Sequence, residues 1–125
     1  MKRYVLESAL LLLFFELVMR FRAIKTLHLI VQQFRVRLNK TPQVPSTEIL
    51  SLAMDFACVL YFKQVLCLQR SSATTLLMRR HGWNAEMVTG AQILPFEAHA
   101  WVEIANEVVN DKPYMHEIYQ VLERY

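Results

Sequence analysis

A cysteine, a histidine and an aspartate in that chain order, Cys67, His99 and Asp111, are the residues best placed to do chemistry. Cys67 opens a stretch, 67–80, that reads as a helix: Arg79 and Arg80 suit its C-terminal end, and Gly82 suits the left-handed position just beyond. At a helix start, unpaired backbone N–H groups and the helix dipole favour negative charge. An ordinary cysteine of pKa about 8.5 is only a few per cent thiolate at neutral pH, and such surroundings can lower that pKa by units. Each unit is worth about 1.4 kcal/mol of preference for the reactive anion. The same N–H groups can hold the oxyanion formed when the sulfur attacks a carbonyl. Cys58 lies mid-helix among Ala57, Val59 and Leu60, with no helix end or base beside it, and reads as structural.

In Ala98-His99-Ala100-Trp101-Val102-Glu103-Ile104 a period of two places His99, Trp101 and Glu103 on one face and apolar residues on the other, the pattern of a strand. If the chain reverses around Asn106, the next strand returns Asp111 to a position near His99. A carboxylate there holds an imidazole in the useful tautomer and stabilises its protonated form. Trp101 would wall the site and contact substrate. Each residue alone has an ordinary structural explanation, and only the joint arrangement points to acyl transfer by an activated thiol. His28 has no evident partner in sequence, His81 abuts Gly82, and His116 neighbours Glu117. None has metal-ligand spacing with a cysteine, so no zinc site is expected. Without a Gly-rich phosphate loop, nucleotide binding is unsupported and no cofactor is expected. Glu97 and Glu103 bracket the histidine but lack a matched acid–base partner.

The elements that must position these residues follow from periodicity and breakers. Residues 4 to about 38 lack Gly and Pro and read as helix, broken near Phe21–Lys25. The segment 40–45, with Pro42 and Pro45, reads as a linker. Ser46 or Thr47 then caps a helix to about Lys63, with Ile49, Leu50, Ala53, Phe56, Ala57 and Leu60 as its apolar stripe. Strands are expected at Ala85–Gly90, at Ala98–Ile104 and from Val108 onward. Helices followed by a small antiparallel sheet make an α+β domain, with a helical segment 1–45 preceding a core 46–125 in one compact unit.

Composition agrees with a folded chain: of 125 residues, 54% are apolar and 20% charged. The net charge of +3 is uneven. From Leu17 to Thr47 there are six basic residues and no acid, whereas from Glu48 onward there are nine acids and six bases. A basic face can meet an acidic protein, anionic lipid or nucleic acid, or be merely solvated. The apolar run Ala9–Phe15 is too short to span a bilayer, and its charged flanks and lack of a small-residue cleavage site do not suit a signal peptide. It reads as a helix that covers the core or docks a partner. Two cysteines are too few for a disulfide scaffold, which fits a reducing, cytoplasmic setting.

Together, Cys67-Leu68-Gln69-Arg70-Ser71, the 31 residues between Cys67 and His99, the strand Pro95-Phe96-x-Ala98-His99-Ala100-Trp101-Val102-Glu103 and Val109-Asn110-Asp111 resemble the leader peptidases of lasso-peptide biosynthesis. Those are transglutaminase-like cysteine peptidases with a papain-like arrangement of the core. The resemblance covers residues 60 to 112 in detail and implies Cys67 as nucleophile, His99 as general base and acid, and Asp111 as the orienting carboxylate. It implies a ribosomally made precursor peptide as substrate, cut between leader and core through a thioester, with the core amine passing to a separate ATP-dependent macrocyclase. Members are either fused to a small leader-recognition domain or depend on a separate recognition protein. The helical character of the first 45 residues is similar to the split form. Nucleic acid and membrane are not among the implied partners. Two other readings stay open from the residues: a transglutaminase, in which an amine resolves the thioester, and a non-catalytic helical adaptor.

Overall fold

The computed structural model describes residues 2–36 and 45–125, so most of the expected linker, 40–44, lies outside the described residues. Two helices open the chain, α1 (Lys2–Phe21) and α2 (Ile24–Gln33), separated at the break expected near Phe21–Lys25. The second stops at Gln33 rather than near 38, where Phe34 turns extended. Helix α3 (Thr47–Leu60) starts where Ser46 accepts a hydrogen bond from the Ile49 N–H at 3.2 Å, and it stops short of Lys63. Its buried stripe is Leu50, Ala53, Met54 and Ala57. Ile49, Phe56 and Leu60, expected in that stripe, are exposed. The helix carries apolar residues on both sides, so periodicity alone left its orientation open, and packing against its neighbours chose it.

Helix α4 (Cys67–Arg80) has the predicted limits and is the central element, buried continuously from Ser71 to Arg79. Its serines and threonines are short enough to let the sheet approach, and two of them bond backbone carbonyls: Thr75 donates to Ser71 O at 2.8 Å and Ser71 to Ala100 O at 2.9 Å, while Ser72 donates to the Met87 sulfur at 3.3 Å. Gln69 ties its first turn to α1, donating to Leu12 O at 2.8 Å. Arg79, expected merely to suit the helix end, is buried and binds four carbonyls, those of Val31, Phe34, Ala85 and Tyr125. It thereby joins the end of α2, the start of the sheet and the C-terminal residue. The main core gathers Leu12 and Phe15 of α1, Leu27 and Val31 of α2, Leu50 of α3 and Leu77 of α4 against Met87 and Val102 of the sheet.

That sheet has four antiparallel strands, β1 (Ala85–Gln92), β2 (Glu97–Ile104), β3 (Glu107–Val108) and β4 (Gln120–Arg124), in the order β3-β2-β1-β4. A four-residue helix α5 (Met115–Ile118) leads into β4. Strands β2 and β3 are joined by Ala105 and Asn106, both at positive φ (52° and 66°), as a two-residue hairpin of primed type requires. The face of β2 bearing Trp101 is covered as well: Val88, Trp101, Met115 and Tyr119 form a second, smaller buried cluster. Gly90, opposite His99, meets Trp101 from the neighbouring strand. A Cβ there would lie 2.7 Å from the indole and 3.0 Å from Gln120 O. The indole is fully buried and cannot yield. Gly90→Ala is therefore expected to lower unfolding stability by about 1–3 kcal/mol through overpacking, measurable as a reduced denaturant midpoint.

Candidate active site

Strand β3 pairs only with Glu103 and Ile104, so the outer edge of β2 at Ala100 and Val102 lacks a strand neighbour. Two other elements use its backbone groups. The N-terminal half of α4 takes one: Ser71 donates to the Ala100 carbonyl, and the Ala100 N–H is directed to the Cys67 sulfur. The loop after β3 takes the other: Val109 N–H donates to Val102 O at 2.9 Å, and Asn110 Oδ1 accepts from Val102 N–H at 2.7 Å. Ser51 of α3 clamps this loop, donating to Val109 O at 2.8 Å. The short β3 is what makes room at one strand edge for the helix bearing Cys67 and the loop bearing Asp111.

Cys67, itself exposed, begins α4 and lines the same cleft as the His99 imidazole, close enough for the ring to bear on its thiol. That contact, working against burial and helped by the N–H groups of Ala100 and Leu68, holds its thiol below the ordinary cysteine range. Cys58 behaves oppositely, its thiol pushed up chiefly by burial. The His99 Nε2–H donates to Asp111 Oδ2 at 2.7 Å, leaving Nδ1 as the ring nitrogen for the sulfur. Chiefly through Cys67, against burial and with support from Asp111, His99 is raised to about 9. The two shifts run in opposite directions, and both favour the thiolate–imidazolium form of the pair. Iodoacetamide is expected to alkylate Cys67 near pH 7 far faster than Cys58. An acyl transfer that needs imidazolium should decline as pH rises through about 9, and also as pH falls through the Cys67 value.

Four placements differ from the sequence reading. Asp111 lies in a bend beyond the two-residue β3, not on a strand, and reaches His99 because Asn110 and Val109 hold the loop along β2. Trp101, expected at the substrate surface, is fully buried. It packs behind His99, centroids 6.2 Å apart, so any effect on substrate passes through the imidazole. Glu103, read as partnerless, accepts from Trp101 Nε1 at 2.7 Å and from Arg124 at 2.8 Å, and pairs with His116 at 2.6 Å. Burial alone would raise this carboxyl, but these bonds, Arg124's foremost, hold it low. His28, likewise read as alone, stacks on Tyr125 at 4.5 Å and meets its hydroxyl. His81 pairs with Glu7 at 3.0 Å.

Sequence reasoning did not find Tyr119, whose ring stacks on His99 at 5.2 Å and whose hydroxyl donates to Glu97. Nor did it find the far wall of the cleft. Cys67 and His99 open into a mainly apolar cleft of about 200 Å³, whose other side is formed by Ile24, His28, Thr89, Gly90 and Leu122. No local motif marks these residues, which come from α2, β1 and β4.

Residues 10–124, nearly the whole chain, match the family described as the transglutaminase-like superfamily. The chain belongs to the transglutaminase-like superfamily. A curated relative, the Microcin J25-processing protein McjB of Escherichia coli, is 34% identical over 56 residues. That match spans 45% of this chain and about a quarter (27%) of the relative's own length. No solved structure matches the chain. As a transglutaminase-like protein it is α+β, with helices preceding a small antiparallel sheet. Among the described residues of this superfamily member no helix is long and apolar enough to cross a membrane.

Proposed function

We propose that this chain is a cysteine peptidase that removes the leader from a ribosomally made lasso-peptide precursor in the cytoplasm. The observation that carries the reading is the placement of Cys67 and His99 together on the wall of one apolar cleft, with Asp111 bonded to the far side of the imidazole at 2.7 Å. The superfamily supports thiol chemistry on an acyl group, and the partial likeness to a microcin-processing protein supports a peptide precursor as substrate.

In the proposed mechanism the Cys67 thiolate attacks the scissile carbonyl, and the oxyanion rests on N–H groups at the start of α4, that of Cys67 among them. The His99 imidazolium gives its proton to the leaving amine, which departs as the core peptide and leaves the leader as a thioester on Cys67. Neutral His99 then takes a proton from water, whose attack releases the leader carboxylate and restores the thiolate. Asp111 holds His99 in the tautomer this needs. A separate leader-recognition protein would bring the precursor, and an ATP-dependent macrocyclase would take the freed core.

The test is to incubate the chain with a candidate precursor, with and without a recognition protein, and weigh the products. Two fragments whose masses sum to precursor plus one water are expected. Incorporation of an added amine with loss of ammonia would instead assign a transglutaminase. An intact precursor beside a readily alkylated Cys67, across several precursors and partners, would sink the leader-peptidase reading.

A further inference from the structure

Helix α1 is apolar on both its inner and outer faces. Leu12, Phe15 and Val18 face the core, while Leu6, Leu10, Leu13, Phe14, Leu17 and Phe21 recur at i, i+4, i+7, i+8, i+11 and i+15 on the outside. A helix that is apolar all round is ordinarily buried. Beside this outer stripe the end of α3 leaves Phe56, Leu60 and Phe62 exposed. Between the two helices runs a groove of about 320 Å³, with Val5, Ala9 and Ala57 among its lining. It continues, through Val5 and Leu60, into a second hollow of about 250 Å³ reaching Lys2. Apolar surface gathered in one place marks an interaction site.

The charges around this groove say what kind of occupant it suits. The two acids of α1 are already neutralised: Glu7 by Arg80 and His81, and Glu16 by Lys63 at 3.1 Å. Exposed cations stand at both ends of the stripe, Lys2 and Arg3 at one and Arg20 at the other, and among the described residues none of them is in an ion pair. A second copy of the chain would bring cations against cations whichever way two α1 helices were laid together. A bilayer surface is locally flat and would leave the groove between α1 and α3 unfilled. An amphipathic helix fits both features, its apolar residues entering the groove and its acids meeting the cations. The groove beside Lys2 to Leu13 is about 17 Å long, three helical turns, and the cation clusters are about 27 Å apart.

We infer that the α1–α3 groove is a docking site for an acidic amphipathic helix of a partner protein. This deepens the partner side of the proposed function, but it does not depend on the peptidase reading.

The probe is a designed 18-residue helical peptide with leucines at i, i+3, i+4 and i+7 and glutamates on its flanks, compared with the same peptide carrying lysines. Binding to the full chain is read by fluorescence anisotropy. The glutamate peptide is expected to bind at least tenfold more tightly than the lysine peptide, and more weakly as salt rises. Leu10→Ser with Leu60→Ser should weaken it tenfold or more; both side chains are mostly exposed (58% and 74%), so the fold should hold. Arg3→Glu with Arg20→Glu should reverse the preference in favour of the lysine peptide, a result independent of the groove variants. An unchanged circular dichroism spectrum and Cys67 alkylation rate show that each variant is intact. Equal affinity for both peptides, or no binding of either, overturns the inference. So does binding only to phosphatidylglycerol vesicles, or a concentration-dependent dimer abolished by Leu10→Ser. Absence of precursor cleavage, in contrast, would count against the peptidase reading alone.

Discussion

Cys67→Ala is expected to reduce precursor cleavage on the order of 10⁴-fold or more, because it removes the sulfur proposed to carry the acyl intermediate. The fold should be little affected. The residue is exposed, and α4 is held by Ser71, Gln69 and Arg79 rather than by the sulfur. Its melting temperature should therefore stay within a few degrees of the parent, which separates lost chemistry from lost structure. Cys58→Ala supplies the comparison: that thiol is half-buried with its ionisation pushed up, so its removal should leave turnover near the parent value. Initial rates from mass spectrometry check both. Ordinary turnover by Cys67→Ala would refute the nucleophile assignment whatever Cys58→Ala does.

Asp111→Asn should give a folded enzyme slower by roughly 10²–10⁴-fold. An asparagine occupies the same volume, and its amide oxygen can still accept from the Lys112 N–H as Asp111 Oδ1 does at 2.8 Å. What is lost is the negative charge beside His99. Asp111 is one of the groups that raise His99 to about 9, so its neutralisation lowers that value. The alkaline limb of the rate profile should move to lower pH, and the range in which thiolate and imidazolium coexist should narrow from above. A fall in rate with the alkaline limb unmoved would mean that Asp111 only shapes the loop. The pH dependence of Cys67 alkylation measures the same shift without any peptide substrate.

The limits of α4 were readable because capping and breaker residues act locally: nothing beyond Arg79, Arg80 and Gly82 is needed to end a helix there. The alternation from Ala98 to Ile104 was equally local and located β2. It misjudged what the two faces meet. A polar-looking stripe of His99, Trp101 and Glu103 suggested an open surface, yet α5 and β4 cover Trp101 and Glu103. Glu103 tolerates burial only because Arg124, His116 and Trp101 converge on it, one of them from a strand at the far end of the chain. No window of sequence contains that information.

Residue types and spacing by themselves determined the order of elements as far as β2, the helix-borne thiol and the strand-borne imidazole, since these depend on neighbours a few positions away. Where a single strand was expected from Val108 onward, the chain instead forms the short β3, a loop, α5 and β4. Tertiary structure decided which face of α3 is buried, how Arg79 is spent on four carbonyls, and which residues of α2, β1 and β4 wall the cleft. It also decided that β3 is only two residues long, which lets α4 and the Asp111 loop reach the edge of β2. The physical reason is that propensity, capping and alternation are short-range energies. Satisfying a buried charge or a free strand edge depends on partners brought together only when the chain folds.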